Sequence, residues 1–475
     1  MTGIVSYGAY IPYNRMKKET VALSFGKKGG KGERAVAYCD EDTVTMAVAA
    51  SLDAVYGRDP AELNAVFFAS STTPYLEKQS ATEIAAALDL GRSLRTADFA
   101  NTLRAGSAAM NAAMDTVAID GGKALAAISD ARLGAADGKY ETDLGDAAAA
   151  FLFGTDDLLA TLDARASVAK DAIDVWRASD DIFVRDWEVR YANTQLYTPL
   201  VTEAVKAVLT KAGLTPADVT KAVVYGHEEK NRTALIAKLG FTPEQTVPSY
   251  YGEIGNTGNA ASALMLCKAL DDAKPGDKIL FVTYGEGSDA MIFTVTDKAV
   301  SYKAQNTVSA LVAHKDNTVA YGKFLKWKGL IKCEPQKRPP QERSSLSDYN
   351  RNYRKNHALY GCRCKECGTV VFPPQRVCVH CHAVDSMEPY RFFDKPATIR
   401  TFTIDGLSVS LDSPNVLVVI EFEGGGKMMT YLVDCDKTKV HVGMKVRPSF
   451  RKMFKENGVS TYFWKVVPAE AGEEA

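Results

Sequence analysis

The chain has 475 residues with 58 acidic and 57 basic side chains, and a formal charge of −1 gives no global field to gather nucleic acid or an anionic membrane surface. Its 46% hydrophobic and 24% charged content is that of a soluble globular protein of about two to four domains. No apolar run approaches the roughly 20 residues a membrane helix needs, and Met1-Thr2-Gly3-Ile4-Val5 enters a strand-like stretch at once, so a cytoplasmic protein without membrane attachment is expected.

Residues 1–165 alternate strand-like and helix-like stretches. The loop Phe25 to Gly32 carries Lys27, Lys28 and Lys31 on a glycine-rich backbone. Such lysines can meet phosphates as point charges, or they decorate a mobile surface loop. A Gly-x4-Gly-Lys-Ser/Thr pattern is absent, so this is not a nucleotide-binding P-loop. Ala65 to Ser70 is a short apolar run suited to a buried parallel strand. Ala81 to Leu90 favours helix, as does the small-residue stretch Gly106 to Ala118. Ala124 to Asp130 and Ala147 to Phe153 are further buried strands. The style repeats in residues 166–325, with a strand at Ala222 to Gly226, a helix at Asn259 to Leu270 and a strand at Lys278 to Tyr284. Strand–helix alternation of this kind predicts α/β layers.

The texture changes from Lys323 to Lys355, which holds ten Lys/Arg against three Asp/Glu, a net of +7, with Pro335, Pro339 and Pro340. Residues 326–356 read as a basic connector with helical pieces: a solvated linker, or a docking surface for CoA phosphates or an acidic neighbour. Five of the nine cysteines follow within 20 residues. Cys364-x2-Cys367 and Cys378-x2-Cys381 are two knuckles whose spacing suits a tetrahedral four-thiolate zinc site, with Gly368 permitting the tight turn. Four cysteines leave no open coordination position, so the expected zinc is structural. Cys362, His380 and His382 are close enough in sequence to compete as ligands. Residues 357–390 form this ribbon. Residues 391–475 contain five strand-like runs broken by glycine turns, which fit a small barrel. That barrel is not clearly basic, so no nucleic-acid partner is expected.

Several separated motifs carry a resemblance. Glu41 to Ala47, Ser129-Asp130, Gly145 to Ala150, Gly255-Asn256-Thr257-Gly258-Asn259 to Ser262, and Tyr284-Gly285-Glu286-Gly287-Ser288-Asp289-Ala290 resemble the 3-hydroxy-3-methylglutaryl-CoA synthase family of the thiolase superfamily. The ribbon, with Phe372-Pro373-Pro374-Gln375-Arg376-Val377 between its knuckles, and the barrel resemble the rubredoxin-like zinc ribbon plus OB-fold family once called a domain of unknown function. Members of that family usually partner thiolase-like proteins. The resemblances imply a duplicated, five-layered thiolase-like α/β fold followed by a zinc ribbon and an OB-type barrel.

The first resemblance also implies a site, and the chain departs from it. Asn101-Thr102-Leu103-Arg104-Ala105-Gly106 resembles the family's Cys-Lys-Ala-Gly-Thr nucleophile turn, with Leu103 at the cysteine. Leucine cannot attack a thioester. The family's acid/base glutamate falls at Ser71. Its histidine falls at Tyr225 when counted without a gap from Leu239-Gly240-Phe241, or at His227 with a two-residue loop shift; a solvent-facing loop histidine is the alternative for His227. Asn256 corresponds to the asparagine that polarises the thioester carbonyl, and as a bare Gly-Asn-Thr-Gly sequence it also suits a turn. Glu253, Glu286 and Asp289 are carboxylates able to replace the missing acid/base, and Tyr225, Tyr250, Tyr251 and Tyr284 are further proton carriers or packing residues. Cys267 falls on the core side of a helix. Together these features lead to the expectation of an acyl-CoA carbon–carbon bond enzyme of aldol or retro-aldol type. The rival expectation is a non-catalytic subunit completing an active thiolase-like partner. A CoA thioester is the expected ligand, with a homodimer formed through the thiolase-like domain or a thiolase-like second subunit.

Overall fold

Runs of alanine and β-branched residues shape the first part of the chain. The computed structural model describes residues 1–334, 345–408 and 410–469. Pro335, Pro339 and Pro340 lie outside the described residues. Two units are present: Met1–Tyr38 with Asp42–Ala85 and Leu90–Tyr321, and a second with Cys39–Glu41, Ala86–Asp89 and the chain from Gly322 onward.

In the first unit nine strands make one sheet. They are β1 (Gly3–Tyr10), β2 (Leu63–Ala69), β3 (Arg95–Phe99), β4 (Lys123–Ala131), β5 (Asp146–Gly154), β6 (Ala160–Ala169), β7 (Lys221–Val224), β8 (Lys278–Gly285) and β9 (Gly287–Val295). Their order is β7-β8-β9-β6-β1-β5-β4-β2-β3. Outward from the β6–β1 junction the two sides match. On one side β1–β5 and β5–β4 are antiparallel and β4–β2 is parallel. On the other, β6–β9 and β9–β8 are antiparallel and β8–β7 is parallel. This repeat is the duplicated α/β architecture that the thiolase-like resemblance implies, and its layers are those expected from the strand–helix alternation.

Four helices cover the sheet: α1 (Thr43–Ala54), α2 (Ala105–Asp120), α3 (Thr198–Ala212) and α4 (Asn259–Asp271). Asp42 caps α1 by accepting from Val44 and Thr45, in a capping box with Thr45. Ala109, Met110, Ala113 and Val117 of α2 share one core with Ala260, Ala263, Leu264 and Cys267 of α4. A second core joins Leu200, Val201, Ala204, Val205 and Val208 of α3 to the opposite strand faces. Alternation within β7 shows the split: Val223 faces the α2–α4 core, and Ala222 and Val224 face α3. Each such apolar side chain contributes about 1.5–3 kcal/mol when fully buried, so packing rather than helix propensity holds these layers. In β5 (DAAAAFLFG) every residue is buried, because both faces are covered. The helix expected over Ala81 to Leu90 ends at Ala87. Asp89 takes φ 59, a left-handed conformation that a right-handed helix does not continue.

In the second unit, short helices Leu346–Arg351 and Tyr353–Ala358 precede a three-stranded ribbon ordered Val370–Val371, Tyr360–Cys364, Met387–Arg391. Strands Ala397–Asp405, Asn415–Phe422, Lys427–Leu432, Lys445–Glu456 and Val459–Pro468 then close a barrel. Along Asn415–Phe422, Val416, Val418, Ile420 and Phe422 are buried and the residues between them are half-exposed, the period-2 pattern of a strand with one face in a core. Trp464 is fully buried, and its indole N–H donates to the His357 carbonyl at 2.9 Å. Among the described residues, no helix is long and apolar enough to cross a membrane.

Candidate active site and metal centre

Strand β3 ends at Phe99 and α2 begins at Ala105. The turn between them holds Asn101 at φ 67, which asparagine tolerates better than most side chains. It is locked from beneath by Asn259 at the start of α4, whose amide donates to Thr102 O (3.0 Å) and whose carbonyl accepts from Gly106 N–H (3.0 Å). Arg104 pairs with Asp289 at 3.0 Å, and Ser107 donates to the other oxygen of Asp289 at 2.6 Å. So constrained, Leu103 lines a cleft of about 610 Å³. Thr102 donates to Glu286 at 2.5 Å, and both line the same cleft.

On the facing wall, His227 follows β7. Its Nε2 lies 3.3 Å from Asp174 Oδ2, and its Nδ1 lies 3.3 Å from the Tyr225 hydroxyl. Tyr284 donates to the same Asp174 oxygen at 2.9 Å, and its ring meets the imidazole edge-on with centroids 5.4 Å apart. Burial works against the charge on Asp174, but the hydrogen bond and charge of His227, with the Tyr284 hydroxyl, hold its carboxyl below the usual range. Burial, then the Asp174 charge, pushes the Tyr284 phenol up, so it remains a donor. Burial also raises Tyr225, against the pull of Arg132. The arrangement is an oriented imidazole with a carboxylate on one nitrogen, a unit suited to moving a proton.

Beneath the cleft, the fully buried Asp130 carboxylate is saturated with donors. It accepts from Ser70 Oγ (3.1 Å), Ser71 N–H (2.6 Å) and Oγ (3.0 Å), Thr72 Oγ1 (3.3 Å), and the backbone (2.7 Å) and side-chain (3.1 Å) N–H groups of Asn259. Gly258 makes room for this cluster. At φ +63 a Cβ there would fall 2.3 Å from Asp130 Oδ2 and 2.8 Å from Arg132 Nε. Arg132 and Arg177 both line the cleft, and Arg177 donates to the Ser71 carbonyl.

The structure thus brings His227, Glu286, Leu103 and Ser71 to one cleft. Tyr225 is buried behind His227. Asn256 is also buried, and its side chain is spent within the protein. Its amide donates to the carbonyls of Gly226 (3.3 Å) and His227 (3.1 Å). Its own oxygen accepts from Arg132 (3.1 Å), Gly258 N–H (3.0 Å) and Tyr225 (3.3 Å). Asn256 therefore holds the His227 segment and is not among the residues lining the cleft. Lys27, Lys28 and Lys31 are exposed and also outside that lining, and Lys27 pairs with Asp137. Cys267 is fully buried in α4, and burial pushes its thiol well up, so it is no relocated nucleophile. Sequence reasoning missed Asp174, Arg132 and Arg177. Arg132 stands two residues after the recognised Ser129-Asp130 and was open to discovery there. Asp174 and Arg177 lie in a stretch with no motif.

In the second unit, the sulfurs of Cys364, Cys367, Cys378 and Cys381 all lie within 4.8 Å of one another. Cys364–Cys381 and Cys367–Cys378 are each 3.6 Å apart. Four thiolates at about 2.3 Å from a tetrahedral zinc stand about 3.8 Å apart, so the quartet fits the ion. Gly368 at φ 75 and His382 at φ 61 close the two knuckles. Cys362 stands outside the quartet, its sulfur accepting Gln375 N–H at 3.2 Å.

Comparison with known proteins agrees with both units. The family "ChsH2, rubredoxin-like zinc ribbon domain" matches residues 351–387, and "ChsH2, C-terminal OB-fold domain" matches 390–451. The family "3-Oxoacyl-[acyl-carrier-protein (ACP)] synthase III C terminal" matches 209–295. Hydroxymethylglutaryl-CoA synthase of Methanopyrus kandleri is 32% identical over 345 residues, covering 70% of this chain and 98% of that protein. The enzyme of the same name from Methanosarcina barkeri is 34% identical over 349 residues, covering 70% and 99%. The solved structure "MvaS in complex with 3-hydroxy-3-methylglutaryl coenzyme A" matches with a TM-score of 0.62 at 22% identity, over 71% of this chain and 94% of that one.

Proposed function

Because the chain belongs to the hydroxymethylglutaryl-CoA synthase family of acyl-CoA carbon–carbon bond enzymes, we propose that it cleaves or forms such a bond in a CoA thioester by aldol chemistry, without an acyl-enzyme. One observation carries this reading: Leu103 occupies the nucleophile turn while an intact Asp174–His227 pair faces the same cleft. In the retro-aldol direction that pair accepts the proton of the substrate's β-hydroxyl, the carbonyl forms, and the Cα–Cβ bond breaks. The electron pair passes to the thioester as an enolate, and the same proton returns to Cα. The N-terminal end of α2, which opens two residues after Leu103, supplies partial positive charge for the enolate oxygen. Asn256 acts as a positioning residue through the His227 carbonyl, and Tyr225 and Glu286 are secondary proton carriers.

The same reading places CoA phosphates near Lys28 and Lys31, a structural zinc on the cysteine quartet, and a homodimer through the thiolase-like unit. A non-catalytic role beside a thiolase-like second subunit is the alternative, favoured by the losses at Leu103 and Ser71. The test is retro-aldol turnover of β-hydroxyacyl-CoA by wild type and His227→Ala. Turnover by wild type that His227→Ala abolishes supports the enzyme; no turnover alone, with restoration of a co-purifying subunit's activity, supports the alternative.

A further inference from the structure

The cleft shelters its proton-carrying pair and exposes apolar side chains beside it. The His227 and Asp174 side chains are 16% and 13% exposed, whereas Leu76, Ile182 and Trp176 line the same cleft at 96%, 54% and 37% exposure. Residues 172–184 supply half of the lining. Trp176 is held there by antiparallel pairing with Arg185, and Val184 N–H donates to the Leu133 carbonyl at 2.8 Å. Of the chain's four tryptophans, Trp327 and Trp464 are buried, and the two exposed ones, Trp176 and Trp187, stand eleven positions apart in this region. Trp187 N–H donates to the Asp174 carbonyl at 3.3 Å. A single exposed apolar side chain needs no explanation, but several around one cleft mark a surface that a ligand covers.

Resting on the acyl-CoA reading above, we infer that Leu76, Trp176 and Ile182 form a specificity rim, and that the substrate is a CoA thioester whose acyl group carries a bulky apolar tail beyond Cβ. That reading puts the thioester at the end of α2 beside Leu103 and Cβ at His227, which leaves the 172–184 wall to whatever Cβ carries. A cleft of about 610 Å³ suits a ligand of many heavy atoms rather than a two-carbon unit. A pantetheine arm does not match the rim: its amides need hydrogen-bond partners, and of these three side chains only the Trp176 indole offers one. An apolar tail has no such need and releases the water lying over the rim. The tail sets this substrate apart from the short, polar hydroxymethylglutaryl unit in the relatives' names.

The experiment titrates the full chain calorimetrically with butyryl-CoA and decanoyl-CoA, which differ only in the length of the apolar tail and, lacking a β-hydroxyl, are not cleaved. Decanoyl-CoA is expected to bind roughly tenfold tighter or more, the gain from about two buried methylenes. Leu76→Ser and Ile182→Ser, both at exposed positions, should each remove part of that preference. The triple change with Trp176→Ser should remove nearly all of it and leave butyryl-CoA within about threefold. Equal affinity for the two thioesters in wild type, or a preference that survives the triple change, overturns the rim while leaving the acyl-CoA reading in place. A triple change that alters the sedimentation of the protein but not its preference assigns the apolar surface to a second copy of the chain and overturns the tail. An equal loss for both thioesters assigns the surface to the CoA arm and overturns it likewise. Failure of wild type to bind either thioester removes the acyl-CoA reading and the rim with it.

Discussion

The side-chain amide of Asn256 donates to the backbone carbonyl of His227 at 3.1 Å. The asparagine thus holds the backbone of the segment that carries the imidazole. Asn256→Ala should lower kcat with a smaller change in KM. It should also destabilise the first unit by about 1–3 kcal/mol, because five polar partners lose their bond to it. Thermal melting beside steady-state kinetics checks both effects. A large kcat loss with unchanged melting would instead favour direct contact with the reacting oxygen.

Asp174 Oδ2 lies 3.3 Å from Nε2 of His227 and is placed to orient the imidazole. Asp174→Asn should reduce turnover on the order of a hundredfold or more while leaving thioester affinity near wild type. The pH dependence follows from its depressed carboxyl. A carboxyl held low in the folded state stabilises the fold above its unfolded value of about 4, and that stability is lost as pH falls through the lower folded value. Melting temperatures of wild type and Asp174→Asn should therefore converge below about pH 4. Curves that stay parallel would show that the pair contributes no stability.

Leu103→Cys supplies the thiolate that the turn lacks. Incubation of wild type with acetyl-CoA should leave the intact mass unchanged, whereas Leu103→Cys should gain an acetyl group at residue 103. An adduct on wild type mapped to Cys267 or Cys39 would restore a cysteine mechanism and remove the aldol reading.

Purified protein should contain about one zinc per chain. Cys364→Ser, or prolonged chelation, should release it and lower the melting of the second unit, since metal binding and folding are coupled at such sites. Metal-free protein with unchanged melting would show that the quartet holds no structural ion.

Most of the fold was legible because its signals are local. The alanine-rich runs of β4 and β5, the glycine-flanked Asn256 loop and the cysteine spacing each act over a few residues. The site was legible only where a motif marks it. Asp174 meets His227 across 53 residues of chain, and Lys27 meets Asp137 across 110. No periodicity announces either encounter. Asn256 shows the converse difficulty: its motif is preserved, but the amide's direction depends on two carbonyls brought up by the end of β7. Ser71 was recognised as a loss, while the arginines gathered near it became visible only with the fold.

The mirrored sheet has a consequence for how the cleft is completed. The strands on one side of the β6–β1 junction lead to Ser71, Leu103 and Arg132, and those on the other lead to His227 and Glu286. Two topologically equivalent segments thus line different walls, and neither encloses the cleft by itself. The cleft is assembled from positions as far apart as Thr102 and Glu286, 184 residues along the chain. Contacts between positions so distant in the chain are slow to form, so the cleft is among the later features of this unit to assemble.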